Sequence, residues 1–254
     1  MRPLDKGPVP SDENDVAITV NDYDLWRKHL INRIGYYCVY CNQTLSHNLQ
    51  VEHVVPKNPP VGYVPGDPLA WENMLLACGP CNRAKWNTPI DFSRYYFPEE
   101  NNTLLPFSVE QHENYPESAI VIPSDNLDGN QIGKSVATIQ LMDLNVIDQR
   151  DRIVDIRHLK RKDAMNAVEV TYHLYQETKT NNPGSLNDFA KLIALNLKCI
   201  GFFGMWFRKF KDEPIVLEAL LDNEVIPGTA QCCFDTDNNF VLLPRNPTNP
   251  FDPI

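Results

Sequence analysis

Apolar residues recur at helical spacing near the start of the chain and through most of its second half. The first helix is predicted from Asn21 to about Ile34, with Asn21 or Asp22 as its cap and Gly35 at its end. Its apolar positions are Leu25, Trp26, Leu30 and Ile34. Four more helices are predicted, over 133–144, from Asp148 to about Thr178, from Ser185 to about Phe210, and over 214–223.

The segment between these helical regions has a different pattern. Residues 49–55 alternate and are rich in β-branched side chains, which predicts a strand. Residues 56–70 contain five prolines and two glycines, so they are predicted to form a loop. A short helix is predicted from Pro80 or Cys81 to the break at Thr88 and Pro89. Residues 96–132 are irregular, with a strand-like piece over 119–122.

These elements predict an α+β chain in three parts. Residues 1–95 carry the first helix and the strand, residues 96–132 form an irregular connection, and residues 133–254 form a mainly α-helical C-terminal domain. No run of about 18 apolar residues occurs. The first residues also lack the apolar core of a secretory signal, so we expect a cytoplasmic protein without a membrane helix.

The charge balance limits how the chain could meet nucleic acid. Its formal net charge is −10, whereas broad electrostatic attachment to nucleic acid needs many lysine and arginine contacts. A function on DNA would therefore need a local basic patch, a divalent cation or a partner protein.

The chain has seven cysteines, and four of them form two Cys-x-x-Cys pairs. Cys38 with Cys41 and Cys78 with Cys81 could direct four thiolates at one ion, the closed geometry of structural zinc. The alternative is four unrelated buried thiols. The remaining three have no such spacing and are interpreted as core or loop thiols: Cys199, Cys232 and Cys233.

A second set of spaced residues lies between and within the cysteine pairs. Glu52, His53 and Pro56 form an acidic-His-x-x-Pro pattern. An Asn-x-x-Leu pattern follows at Asn73 and Leu76. The second pair then continues as Cys-x-x-Cys-Asn-x-x-Lys over 78–85. In this order the residues resemble the HNH endonuclease family, and the match covers about 36–86. The resemblance implies a zinc-stabilised ββα-metal nuclease that cleaves DNA.

The resemblance also implies roles for individual residues. His53 matches the general base, and Glu52 and Asn82 match the ligands of a catalytic Mg²⁺ or Mn²⁺ ion. Asn73 matches the residue that braces the loop and orients His53. Many family members carry Asp where Glu52 stands, and some carry His where Asn82 stands.

Arg83 and Lys85 are predicted to contact substrate phosphates. Each of these residues also has a structural interpretation. His53 could be a satisfied structural histidine, Asn82 could cap the short helix, and Arg83 and Lys85 could form a solvated face. His47, in a turn, is interpreted as a surface residue.

Two features of the second half remain open. The helix from Asp148 interleaves basic and acidic residues, which indicates an ion-paired, solvated helix or a face that guides DNA. The aromatic residues of the next helix indicate core packing or a partner surface. They are Phe202, Phe203, Trp206, Phe207 and Phe210.

The layout of 138–145, followed by Arg150 and a helical C-terminal half, loosely resembles the HNH component of Septu-type and retron-associated antiphage systems. That resemblance implies an ATPase partner, which would supply the missing DNA-binding surface. The alternatives to a DNA nuclease are a non-catalytic zinc module that binds nucleic acid or protein, and a toxin-like RNase.

Overall fold

The computed structural model describes residues 1–47, 49–147 and 155–254, which form seven α-helices and three two-stranded antiparallel sheets. The helices are α1 (Trp26–Ile34), α2 (Gly79–Lys85), α3 (Gly129–Leu141), α4 (Arg157–Asn181), α5 (Leu186–Ile200), α6 (Phe203–Lys209) and α7 (Pro214–Leu220). The strands are β1 (Gln50–His53), β2 (Met74–Ala77), β3 (Phe107–Gln111), β4 (Ala119–Pro123), β5 (Phe234–Asp235) and β6 (Val241–Leu242). The α+β class predicted from the sequence is confirmed.

The predicted catalytic segment folds as two strands followed by a helix. β1 pairs antiparallel with β2, with Glu52 opposite Leu75 and His53 opposite Met74. α2 begins two residues after β2, and Pro80 stands in its first turn, where a missing N–H costs nothing. Residues 54–73 connect the strands, and the Val54 amide at the start of this connection donates to the Asn73 carbonyl at its end.

Two groups of buried apolar side chains hold the chain together. The first surrounds α1, β1 and β2, and includes Met142 and Leu144 from the segment after α3. The second lies among α4, α5, α6 and α7. All five aromatic residues of the predicted C-terminal cluster are buried, so core packing explains them.

The prediction of one continuous helix from Ser185 to Phe210 was wrong. The structure has two helices, α5 and α6, with a break at Gly201. Gly201 has a φ of 83°, and a Cβ there would lie 2.6 Å from the Asn42 carbonyl oxygen. Asn42 also receives both following amides: its carbonyl accepts from Phe202 at 2.7 Å, and its Oδ1 accepts from Phe203 at 2.8 Å. The break therefore lets α6 dock on the residue that follows Cys41.

The long basic helix differs from its prediction as well. It begins at Arg157 in the structure, and the predicted part over 148–154 lies outside the described residues. Arg157 and Arg161 are buried and bind backbone carbonyl oxygens, so this part of α4 is not the solvated face that the charge pattern suggests. Lys160 and Asp163 do form an exposed pair.

None of the helices described is both long and apolar enough to span a bilayer.

Candidate functional site

The four cysteines of the two pairs meet in the first core. Their sulfur atoms all lie within 4.8 Å of one another, and the sulfurs of Cys41 and Cys78 are 3.8 Å apart. Thiolates bound ~2.3 Å from one tetrahedral zinc ion would be separated by ~3.8 Å. All four are buried. The donor set and its spacing therefore fit a structural zinc ion, and no other group of three or more potential ligands of this kind occurs in the described part of the chain.

The charge of this cluster also favours a cation. Burial raises the pKa of Cys81, and hydrogen bonding to the neighbouring cysteines raises it further. Four thiolates this close could ionise together only with a compensating ion. Arg157 brings a positive charge to the cluster, because its guanidinium donates to the Cys81 sulfur at 3.1 Å.

His53 ends β1 with its imidazole held in one orientation. Its Nε2 lies 3.2 Å from the Pro68 carbonyl oxygen, and its ring packs edge-on against Tyr23 at a centroid distance of 4.8 Å. A carbonyl oxygen only accepts, so Nε2 carries the proton and Nδ1 keeps its lone pair. Nδ1 has no hydrogen-bond partner among residues 1–47, 49–147 and 155–254. Burial lowers the pKa of His53, although the bond to Pro68 acts in the opposite direction.

Asn73 holds the loop that supplies this carbonyl. Its Oδ1 accepts from the Val55 amide at 2.7 Å, and its Nδ2 donates to the carbonyls of Val55 and Asp67, both at 3.0 Å. Asp67 directly precedes Pro68, so the Asn73 side chain connects both ends of the loop beside His53. Gly66 is required here because a Cβ would lie 2.3 Å from the Val55 carbonyl oxygen.

Glu52 lies beside His53 but is almost completely buried. Its Oε2 accepts from the Tyr40 hydroxyl at 2.6 Å, and its Oε1 lies 2.5 Å from the Lys85 ammonium. Lys85 also donates to the His53 carbonyl at 2.7 Å. A phenol and a buried cation therefore fix the position of this carboxylate.

Asn82 stands on α2 across from β1. Its Nδ2 donates to the Gln50 Oε1 at 2.8 Å, so the amide is oriented by a residue of the facing strand. Its Oδ1 has no hydrogen-bond partner in the part of the chain that the structure describes. This leaves a hard oxygen available to a cation.

These residues share one surface depression, which we call the His53 cleft. Its lining includes Gln50, Glu52, His53, Asn82, Arg83 and Trp86. Lys57 and Tyr23 form part of its wall, with the Lys57 ammonium 4.3 Å from the centroid of the Tyr23 ring. The cleft thus combines an imidazole with a free lone pair, a carboxylate, an amide oxygen and exposed cations.

Comparison with known proteins shows which family this region is similar to. A family model described as HNH endonuclease matches residues 38–88. This span contains both cysteine pairs and all the cleft residues named above except Tyr23. Residues 38–88 therefore match the HNH endonuclease family model, and we call them the HNH domain.

A curated relative is similar over about a quarter of the chain. The chain is 34% identical over 68 residues to a CRISPR-associated endonuclease Cas9 of Corynebacterium diphtheriae. The match covers 26% of this chain and 6% of that protein. The chain therefore spans a small fraction of the relative's length.

The HNH domain brings together most, but not all, of the residues predicted for its site. Glu52, His53, Asn82 and Arg83 line the cleft, and Asn73 stands behind it as a brace. Lys85 differs from its predicted phosphate contact, because it points into the interior and pairs with Glu52. His47 is exposed and lines a different depression, as a surface residue would.

Several residues that shape the HNH domain were not singled out from the sequence. Gln50 lies two positions before Glu52, so strand alternation places both on one face and could have indicated it. Tyr40 stands at an unspecified position of the first Cys-x-x-Cys pair, and Arg157 is far from the site in sequence, so the motif indicates neither of them. Gly66 sits in a proline-rich loop, where a required close approach cannot be distinguished from an ordinary turn.

Proposed function

We propose that the HNH domain hydrolyses phosphodiester bonds in DNA, with His53 as general base. The observation that carries this proposal is the hydrogen bond from Nε2 to the Pro68 carbonyl, which leaves Nδ1 as the proton acceptor at the cleft. Nδ1 would remove a proton from water as its oxygen attacks phosphorus, and the bond to the leaving oxygen breaks. Burial lowers the pKa of His53, which favours the neutral imidazole that a base requires.

Glu52 and Asn82 would hold the catalytic cation. Asn82 offers an oxygen free of protein hydrogen bonds, and Glu52 offers a carboxylate at the cleft floor. Mg²⁺ or Mn²⁺ would supply positive charge for the phosphate oxygens and the leaving group. Lys85 already pairs with the Glu52 carboxylate. A cation would therefore bind weakly there until the substrate phosphate adds further negative charge. Arg83, exposed at the cleft, would contact a phosphate.

The other residues of the proposed mechanism act through His53. Asn73 fixes the loop that carries Pro68, and Tyr23 limits rotation of the imidazole ring. The zinc ion held by Cys38, Cys41, Cys78 and Cys81 would join the start of the domain to α2. It would take no part in bond cleavage, because all four positions of a tetrahedron are filled by protein.

A digestion panel tests the reaction class. The purified chain is incubated with plasmid DNA or total RNA, each with Mg²⁺, Mn²⁺ or a chelator. The proposal expects DNA cleavage that requires a divalent cation. Cleavage of RNA alone would favour the toxin-like RNase, and binding without cleavage of either would favour the non-catalytic zinc module.

The biological setting belongs to the same proposal. The net charge of −10 supports a partner that brings DNA to the cleft, and the loose antiphage resemblance makes that partner an ATPase in the cytoplasm. Purification of the natively expressed chain, followed by mass spectrometry of bound proteins, tests this directly. Recovery of the chain without any nucleotide-hydrolysing protein would contradict it.

A further inference from the structure

Trp86 is exposed at the edge of the His53 cleft, immediately after α2. Its side chain is 72% exposed, whereas the other three tryptophans, Trp26, Trp71 and Trp206, are at most 2% exposed. A large aromatic ring in water contributes no core packing. The position of Trp86 therefore calls for a different explanation from that of the others.

The backbone of Trp86 is equally unfavourable for a tryptophan. Its φ is 47° and its ψ −128°, a conformation that favours glycine. The strain is held by neighbouring hydrogen bonds: the Trp86 amide donates to the Asn82 carbonyl, and the Thr88 amide donates to the Lys85 carbonyl. Neither burial nor local backbone preference accounts for this side chain, and such outliers concentrate at functional sites.

The surroundings of Trp86 match one class of ligand. Arg83, three residues earlier on α2, is exposed and lines the same cleft. On the cleft wall the Lys57 ammonium lies over the Tyr23 ring. Aromatic faces beside cations along a groove are the features that bind single-stranded nucleic acid, where bases stack on rings and phosphates pair with the cations.

We propose that Trp86 stacks on an unpaired nucleobase of the DNA strand that enters the His53 cleft. In a fully paired duplex both faces of each internal base are covered by neighbouring bases, so the ring would have no face to contact. The cleft therefore prefers single-stranded DNA, or a duplex with an unpaired base near the scissile phosphate. This inference rests on the proposed function and adds a substrate class to it.

Tryptophan emission tests the proposal without requiring turnover. In a His53→Ala background, Trp86 is the one exposed tryptophan of the four, so a ligand stacked on it should quench emission. A single-stranded oligodeoxynucleotide is expected to quench more strongly than the same sequence as a blunt duplex. The quenching should vanish in His53→Ala/Trp86→Phe. Equal quenching by the duplex, or quenching that survives this substitution, would overturn the proposal.

Affinity measurements with variants provide the second test. Trp86→Gly removes the ring and suits the observed φ, so it should fold normally and bind the single strand about 5- to 100-fold more weakly. Trp86→Phe should retain most of the affinity. Phe251→Ala, which removes an aromatic residue that is 83% exposed and outside the cleft, should change nothing.

These outcomes separate the inference from the proposed function. If Trp86→Gly binds the single strand as tightly as the parent while His53→Ala abolishes cleavage, the inference fails and the nuclease stands. If Trp86→Gly loses affinity while His53→Ala cleaves at the parental rate, base stacking stands and the proposed function fails.

Discussion

At His53, one hydrogen bond determines which nitrogen can accept a proton. The acceptor is the Pro68 carbonyl, and its position depends on Asn73 and on the space that Gly66 leaves beside Val55. The orientation of His53, the proposed general base, is thus set by residues that do not line the His53 cleft. Small displacements in this loop should therefore reduce catalysis more than they reduce stability.

Gly66→Ala should disrupt this arrangement. The added Cβ would lie 2.3 Å from the Val55 carbonyl oxygen and 2.5 Å from the Asn73 Nδ2, so the loop must move and carry Pro68 with it. We expect DNA cleavage to fall by about 100-fold with zinc content unchanged. Gly133→Ala, where nothing lies within 4 Å, is the matched control and should cleave normally. Parental activity in Gly66→Ala would contradict this account of the loop.

Lys85→Met tests the buried ion pair. It leaves the Glu52 carboxylate in the interior without its cation, and should lower the free energy of unfolding by about 3–5 kcal/mol. Lys160→Met, which breaks the exposed pair with Asp163, should cost at most about 1 kcal/mol. Urea denaturation compares the two. Similar losses in both variants would show that the Glu52–Lys85 pair contributes no more than a surface pair.

The motif predicted which residues meet at the cleft better than it predicted where their side chains point. Glu52 and His53 lie on β1 and Asn82 lies on α2, and the structure brings these two elements together at the cleft. Lys85 lies four residues after buried Cys81, so helical spacing places both on one face of α2 and could have indicated its burial. The charge of Lys85 argued against burial, because lysine is rarely buried without a partner. The sequence does not show that Glu52 becomes that partner when the chain folds.

At the level of elements, two of the C-terminal helices contact the cysteine cluster or the residue next to it. The break between α5 and α6 docks on Asn42, and the first residue of α4 donates to Cys81. Apolar residues continue on both sides of Gly201, from Ile193, Leu197 and Ile200 to the aromatic residues, so the sequence alone predicted one continuous helix. The close approach of the Asn42 carbonyl, which only glycine permits, is a tertiary contact that periodicity does not reveal.

Arg157→Lys should loosen the zinc site while keeping the charge. Arg157 donates at once to the Cys81 sulfur and to the carbonyls of Met142 and Asp143, and a lysine ammonium cannot reach all three. We expect zinc transfer to a chelator to be about 10-fold faster, since groups that bind metal ligands tune metal affinity by this order.

Arg161→Lys is the matched control for this measurement. Arg161 is one turn further along α4 and equally buried, but it donates to the Ala119 and Leu144 carbonyls and to no sulfur. Its substitution should cost stability without changing zinc release. Equal rates of release in the two variants would mean that α4 supports the fold in general and not the zinc site.

Across the whole molecule, the HNH domain is a small part of a larger structure that packs around it. The first core runs from Leu4 to Ile254 in sequence, so residues far apart along the chain share a core with β1 and β2. Composition and motif spacing predicted the α+β class and the position of the domain. They did not predict that Arg2 would be buried, with its guanidinium on the carbonyl of Ile34 and the hydroxyl of Thr229, because such long-range contacts leave no local pattern.

The rate of DNA cleavage by His53→Ala is the measurement that bears most directly on this structure. With saturating Mg²⁺ or Mn²⁺, we expect a decrease of about 10²- to 10⁴-fold, the contribution of a positioned general base. Zinc content and thermal stability should match the parent. His47→Ala, which removes an exposed histidine outside the His53 cleft, should cleave as the parent does. Undiminished cleavage by His53→Ala would contradict the assignment of this cleft as the catalytic centre.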